Sequence, residues 1–152
     1  MNKEQFEEET QNIFTRMVEL AFEFVERNVV DIDGIYVFVS LENGYFFNVY
    51  YKVNGHYTEI NNVNKYAKEQ FDLSMDRMFD MLDLGTEDVE ELKAVFEKYD
   101  EEVPKSVKLY YNPKTEGFEA KLGYEELFTG DSEKTAGSVF DDWLAELSEE
   151  NS

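Results

Sequence analysis

The stretch IYVFVSLENGYFFNVYYKVNGHYTEI, residues 35–60, leaves the chain few folds to choose from. Ile35, Val37, Val39 and Leu41 alternate with Tyr36 and Phe38, and Phe47, Val49, Tyr51 and Val53 alternate with Phe46, Asn48 and Tyr50. A period of two is that of a strand, whose successive side chains point to opposite faces. Asn43-Gly44 and Asn54-Gly55 separate the runs, and Asn-Gly tolerates the positive φ angles that a two-residue hairpin turn requires. The expectation is an antiparallel meander with apolar residues on both faces, which amphipathic helices must cover.

The rest of the chain supplies such helices. Residues 3–28 carry Phe6, Ile13, Met17, Leu20 and Phe24 at helical spacing, widened by Phe14, Val18, Ala21 and Val25, until Asp31 to Gly34 interrupts the pattern. From Lys68 a second helix is expected, with Phe71, Met75, Met78, Phe79 and Leu82 as its buried stripe and Gly85 as its end. Thr86 then caps a third helix that buries Val89, Leu92, Phe96 and Tyr99 and stops before Pro104. SVKLYYN and GFEAKLGY read as a second hairpin, turning at residues 112–116. Ser138 caps a last helix built on Phe140, Trp143, Leu144 and Leu147. The predicted fold is a single acidic α+β domain over residues 1–152. It is a two-layer sandwich of a five-stranded, mainly antiparallel sheet and helices, in the order αβββααββα.

Charge is distributed unevenly over this frame. The chain holds 35 Asp and Glu against 14 Lys and Arg, a formal net charge of −21. Residues 69–103 carry thirteen acids against three bases, and residues 124–152 nine against one, whereas residues 104–123 hold four bases against two acids. The acidity therefore belongs to helices, and the second hairpin is slightly basic. Asp72, Asp76 and Asp80 recur at i, i+4 and i+8, a spacing at which like charges repel by roughly 0.2–0.5 kcal/mol per pair. Asp100, Glu101 and Glu102 stand at a helix C-terminus, where the macrodipole disfavours negative charge. These six residues are the candidate partner-binding positions. Direct binding to nucleic acid or an anionic membrane would meet long-range repulsion, and a basic protein would be attracted.

Catalytic and metal chemistry find little support. There is no Cys, so disulfides, thiolate metal sites and cysteine nucleophiles are excluded, and the single histidine, His56, follows an expected tight turn, which argues against a catalytic triad. Asp31-Ile32-Asp33-Gly34 resembles a calcium-loop fragment. Placing Gly34 at the sixth loop position, however, puts Val29 and Ser40 where Asp and a bidentate Glu are needed, so it reads as a turn. No Gly-rich phosphate loop appears. The reading is a non-enzymatic protein without cofactor or metal. The opening MNKEQFEEETQ lacks the basic start and apolar core of a signal peptide, and no run approaches the ~18 apolar residues of a membrane span. A cytoplasmic location follows as the expectation.

The long first helix, the hairpins IYVFVSLENGYFFNVYYKVNGHY, the acidic helices and the segment VPKSVKLYYNPKTEGFEAKLGYEEL resemble a known family. They are similar to the small antitoxin or immunity proteins encoded beside Gram-positive LXG polymorphic toxins of the type VII secretion system. Phe118, Leu122, Tyr124, Glu125 and Glu126 form the most family-like run. The resemblance implies a cytoplasmic protein that binds and blocks a cognate toxin, in some members a nuclease, whose basic surface acidic side chains can occupy. Two other functions suit an acidic binding domain: a DNA-mimic inhibitor of a DNA-binding protein, and a secretion chaperone for an effector.

Overall fold

The computed structural model describes residues 3–42, 44–130 and 133–150, the last two of these without their side chains. Helix α1 (Lys3–Phe24) is followed by β1 (Ile32–Ser40), β2 (Phe46–Val53), β3 (His56–Glu59) and a 3-10 turn (Ile60–Lys65). Helix α2 (Met75–Lys98), β4 (Ser106–Asn112), β5 (Gly117–Gly123) and α3 (Ala136–Glu150) complete the chain. The five strands form one antiparallel sheet in the order β3-β2-β1-β4-β5. The expected α+β class and antiparallel sheet are observed. Among the described residues the α-helices number three rather than the expected four, in the order αβββαββα.

Alternation sets both faces of the sheet. Val37 lies between Val49 of β2 and Leu109 of β4, and Tyr36 between Tyr50 and Tyr110. Ile35, Val37, Val39, Phe47, Val49, Tyr51, Val107 and Leu109 are buried in one cluster with α1 and α2. On the other face Tyr36, Phe38 and Tyr50 pack with Phe140 of α3, and Trp143, Leu144 and Leu147 border them. The Tyr50 and Phe140 rings stack, their centroids 3.8 Å apart, and the Tyr50 hydroxyl donates to the Phe140 carbonyl. The sheet is therefore covered on both sides, a third layer beyond the two expected. Neither parity of β1 can be left in water, because its even residues are aromatic as well.

Helix α1 stops earlier than its apolar pattern suggests. Arg27 N–H bonds to Phe22 O and Glu26 N–H to Glu23 O, with Glu26 in the left-handed region at φ 54°. This is a Schellman closure in which a non-glycine residue takes the left-handed position. The break thus falls at Glu26, before the expected Asp31–Gly34. The Asn54-Gly55 turn has positive φ at both residues, 47° and 86°, as expected. The other hairpin is wider than a two-residue turn, since Ser40 pairs with Phe46 and residues 41–45 make the connection. Asn43 lies outside the described residues.

Gly85 does not end a helix; α2 runs straight through it. Thr86 is inside the helix too, its hydroxyl donating to the Leu82 carbonyl. The start is also later than expected. Asn64 holds residue 71 outside the helix, accepting from Phe71 N–H and donating to Phe71 O. Starting at Met75 turns Met81, Gly85, Val89, Leu92 and Phe96 inward and leaves Met75 and Phe79 exposed. A glycine is required at position 85 because the helix rests on the buried ring of Phe47. A Cβ there would sit well inside van der Waals contact with three atoms of that ring.

Gly85→Ala is therefore expected to destabilise the fold by about 1–2 kcal/mol, overpacking outweighing the roughly 1 kcal/mol helix-propensity gain of alanine. Urea denaturation checks the sign, and adding Phe47→Leu to Gly85→Ala should recover part of the loss.

At the last helix the cap is Thr135 rather than Ser138. Thr135 Oγ1 accepts from Ser138 N–H and Ser138 Oγ from Thr135 N–H, the reciprocal pair of a capping box. No helix among the described residues is long and apolar enough to cross a membrane.

Candidate functional site

With α2 continuous, its carboxylates line up. Asp76, Asp80, Asp83, Glu87 and Glu90 follow one another at steps of four, three, four and three residues, and all are exposed. Such steps keep side chains on one helix face, here the face opposite Met81, Gly85, Val89 and Leu92. At 1.5 Å per residue the row is about 21 Å long. Glu97 carries the same face on towards the C-terminus.

Counter-charges are spent elsewhere. Arg16 of α1 pairs with Asp88 at 2.9 Å and with Glu91, and Lys98 pairs with Glu9 at 3.1 Å, which ties α2 to α1 along the flank of the row. Arg77 donates to the carbonyls of Asp72 and Phe24 and lies over the Phe24 ring. Lys93 lies over the Tyr45 ring. Among the described residues no ion pair reaches Asp76, Asp80, Asp83, Glu87 or Glu90.

Beside the row lie large apolar side chains in water. Met75 is 64% and Phe79 54% exposed, one turn apart, and Phe79 borders a cleft of about 410 Å3 with Phe46, Ile60, Met78, Leu82 and Phe140. Glu59 and Asp141 stand in the same cleft. Burial and then the adjacent Asp141 carboxylate push the Glu59 carboxyl above its ordinary range. An apolar patch rimmed by unpaired charge of one sign is the usual make-up of a protein-binding surface.

The six candidate positions do not converge. Asp72 precedes α2 instead of sharing its face with Asp76 and Asp80; its carboxylate accepts from Ser74 N–H, which holds its pKa below the usual range. Asp76 and Asp80 begin the row. Asp100, Glu101 and Glu102 follow the far end of α2, whose last residue, Lys98, lies 22 residues and about 33 Å along the helix from Asp76. Asp100 has a local duty at φ 56°: its N–H bonds to Glu97 O and that of Glu101 to Phe96 O, again a Schellman closure. Asp83, Glu87 and Glu90 join the two ends. They escape a reading that breaks the helix at Gly85, although their four-three-four-three spacing is present in the sequence.

Two further carboxylates are buried and fully engaged. Asp31, 1% exposed, accepts from the Asn28 and Asn54 amides and from Lys68 and Glu69 N–H. Glu42, 6% exposed, accepts from Leu127, Phe128 and Thr129 N–H. The turn expected over residues 31–34 is confined to Asp31, because Ile32, Asp33 and Gly34 open β1 with a register shift between Ile32 and Gly34, and the oxygens of Asp31 are taken by N–H donors. Among the described residues no group of three or more His, Cys, Asp or Glu is placed to hold a metal ion. His56 stacks on Tyr66, ring centroids 3.9 Å apart. No family model matches the chain, and a search of curated proteins returns no match.

Proposed function

We propose that the chain is an immunity protein, an antitoxin that binds a cognate toxin with a basic surface and blocks it inside the producing cell without catalysis. The observation that carries this reading is the row Asp76, Asp80, Asp83, Glu87 and Glu90, which no ion pair among the described residues reaches and which exposed Met75 and Phe79 flank. Carboxylates in such a row steer a basic partner and fix its register, and desolvated apolar anchors supply most of the affinity. The family resemblance supplies the toxin as partner and the cytoplasm as place, and a nuclease groove is one basic surface the row would fit.

The test is protection. Co-expression with the toxin encoded by the adjacent reading frame should permit growth, and the triple variant Asp76→Lys, Asp80→Lys, Asp83→Lys should lose that protection while still folding. Undiminished protection removes α2 from the interface.

A DNA mimic also draws on an evenly spaced carboxylate row. Exposed Met75 and Phe79 favour a protein-specific contact over phosphate imitation alone. The two readings separate in a pulldown: one toxin for an immunity protein, several unrelated DNA-binding proteins for a mimic.

A further inference from the structure

The sheet ends on β5, and four of its seven residues, Gly117, Glu119, Ala120 and Lys121, are exposed. A strand at the end of a sheet presents a row of unpaired N–H and C=O groups, and proteins ordinarily blunt it with proline, a bulge, a covering element or charged side chains, which on β5 are Glu119 and Lys121 and are complementary to those of a second copy. Here Gly117 to Gly123 pairs with β4 in unbroken register and contains no proline.

The inward side of this strand has a charge conflict. Lys121 is paired across the ladder with Lys108, and Glu119 with Tyr110, so two like charges face each other on neighbouring strands, which is unfavourable. Lys108 is drawn over the Trp143 ring. Among the described residues neither Lys121 nor Glu119 forms an ion pair.

The sequence Gly117-Phe118-Glu119-Ala120-Lys121-Leu122-Gly123 is complementary to itself when run antiparallel. With Ala120 opposite Ala120 of a second copy, Glu119 of each faces Lys121 of the other, Phe118 faces Leu122, and Gly117 faces Gly123. Shifting the register by two residues in either direction sets Glu119 against Glu119 or Lys121 against Lys121, so charge selects the first. Residues of the same parity stay on the same face, and the two sheets continue as one. We propose that β5 is an isologous homodimer edge, two copies joining antiparallel about Ala120 into a ten-stranded sheet. The partner's Glu119 then sits beside Lys121 and relieves its conflict with Lys108. Residues 104–123 hold four bases against two acids, so copies of −21 meet at a locally basic segment where repulsion is reduced. At physiological salt the remaining repulsion is screened beyond about 8 Å. This inference is independent of the toxin-binding reading.

Sedimentation velocity of the full chain over a wide concentration range tests it. The wild type should show a concentration-dependent monomer–dimer equilibrium. Glu119→Lys alone and Lys121→Glu alone should each weaken it by about ten-fold or more. Mixing those two variants should restore association as a heterodimer, because every cross-strand pair is again opposite in charge, and the double exchange Glu119→Lys with Lys121→Glu should dimerise by itself. A wild type that stays monomeric throughout, single variants that dimerise like the wild type, or a mixture that does not associate would each overturn the proposal. The mixture guards against misfolding, since two unfolded variants would not form a discrete heterodimer.

Discussion

Replacing Asp31 by alanine is expected to lower the unfolding free energy by about 3–4 kcal/mol, the largest single-residue effect anticipated in this fold. Asp31 joins three segments at one carboxylate. Its carboxylate takes the Asn28 amide from the end of α1, the Asn54 amide from the β2–β3 turn, and the N–H groups of Lys68 and Glu69 ahead of α2. Its carbonyl takes Asn54 N–H as well. Alanine would take the acceptor from the Lys68 and Glu69 N–H groups and leave the Asn28 and Asn54 amides only their bonds to Glu69 and Tyr66, and an unmade buried hydrogen bond costs more than a made one contributes. The Asp31→Asn variant is the informative intermediate, because it keeps one acceptor oxygen and turns the other into a donor facing donors. Urea denaturation should order the stabilities as wild type, then Asp31→Asn, then Asp31→Ala. Equal stability of all three would remove Asp31 as the organising residue.

Glu42 does for α3 what Asp31 does for the other end of the sheet. It follows β1 and receives three consecutive backbone N–H groups from residues 127–129, the start of the segment that leads to α3. Burial alone would raise its pKa. The Thr129 hydroxyl and the Leu127, Thr129 and Phe128 N–H groups outweigh burial and bring it down to about 2 from an ordinary 4.5. A carboxyl whose folded value is depressed contributes stability in full above its unfolded value and loses it as pH falls towards the folded value. Glu42→Gln should therefore cost about 2–3 kcal/mol at neutral pH, and the gap to wild type should close between pH 4.5 and about 2. Using the difference between the two proteins cancels the relief of general repulsion that acid brings to so acidic a chain. Trp143 sits on α3 against Phe38 and Tyr50, so its fluorescence reports whether α3 loosens first. A gap that stays constant with pH would contradict this account of Glu42.

Alternation in residues 35–60 is enough to place three strands and their faces, because a period of two is short and each strand shows several cycles. The second hairpin is legible for the same reason. Helix limits are harder. Gly85 reads as a stop because glycine is a poor helix former, and only the Phe47 ring, far away in the chain, explains why it sits inside a helix. Glu26 and Asp100 end helices in left-handed conformations that neither residue type advertises. The late start of α2 has one cause, the side chain of Asn64 holding Phe71, and from it follows the exposure of Met75 and Phe79.

The same long-range contacts decide how much of the candidate surface can be read. Asp76 and Asp80 are legible as like charges at helical spacing, and both belong to the row. Asp72 is lost to a turn. Asp83, Glu87 and Glu90 become part of one surface only when the helix is known to continue through Gly85. The buried roles of Asp31 and Glu42 leave no local mark, since all their donors but the Asn28 amide come from residues 23 to 87 positions away.

The α2 row is proposed to steer a basic partner by charge. Stopped-flow association of the full chain with the proposed cognate toxin, measured as a function of ionic strength, is the direct test. For the wild type the association rate should fall steeply with added salt, and for Asp76→Lys, Asp80→Lys, Asp83→Lys it should be at least about ten-fold lower at low salt and nearly flat. Identical rates and identical salt slopes for the two proteins would contradict the claim.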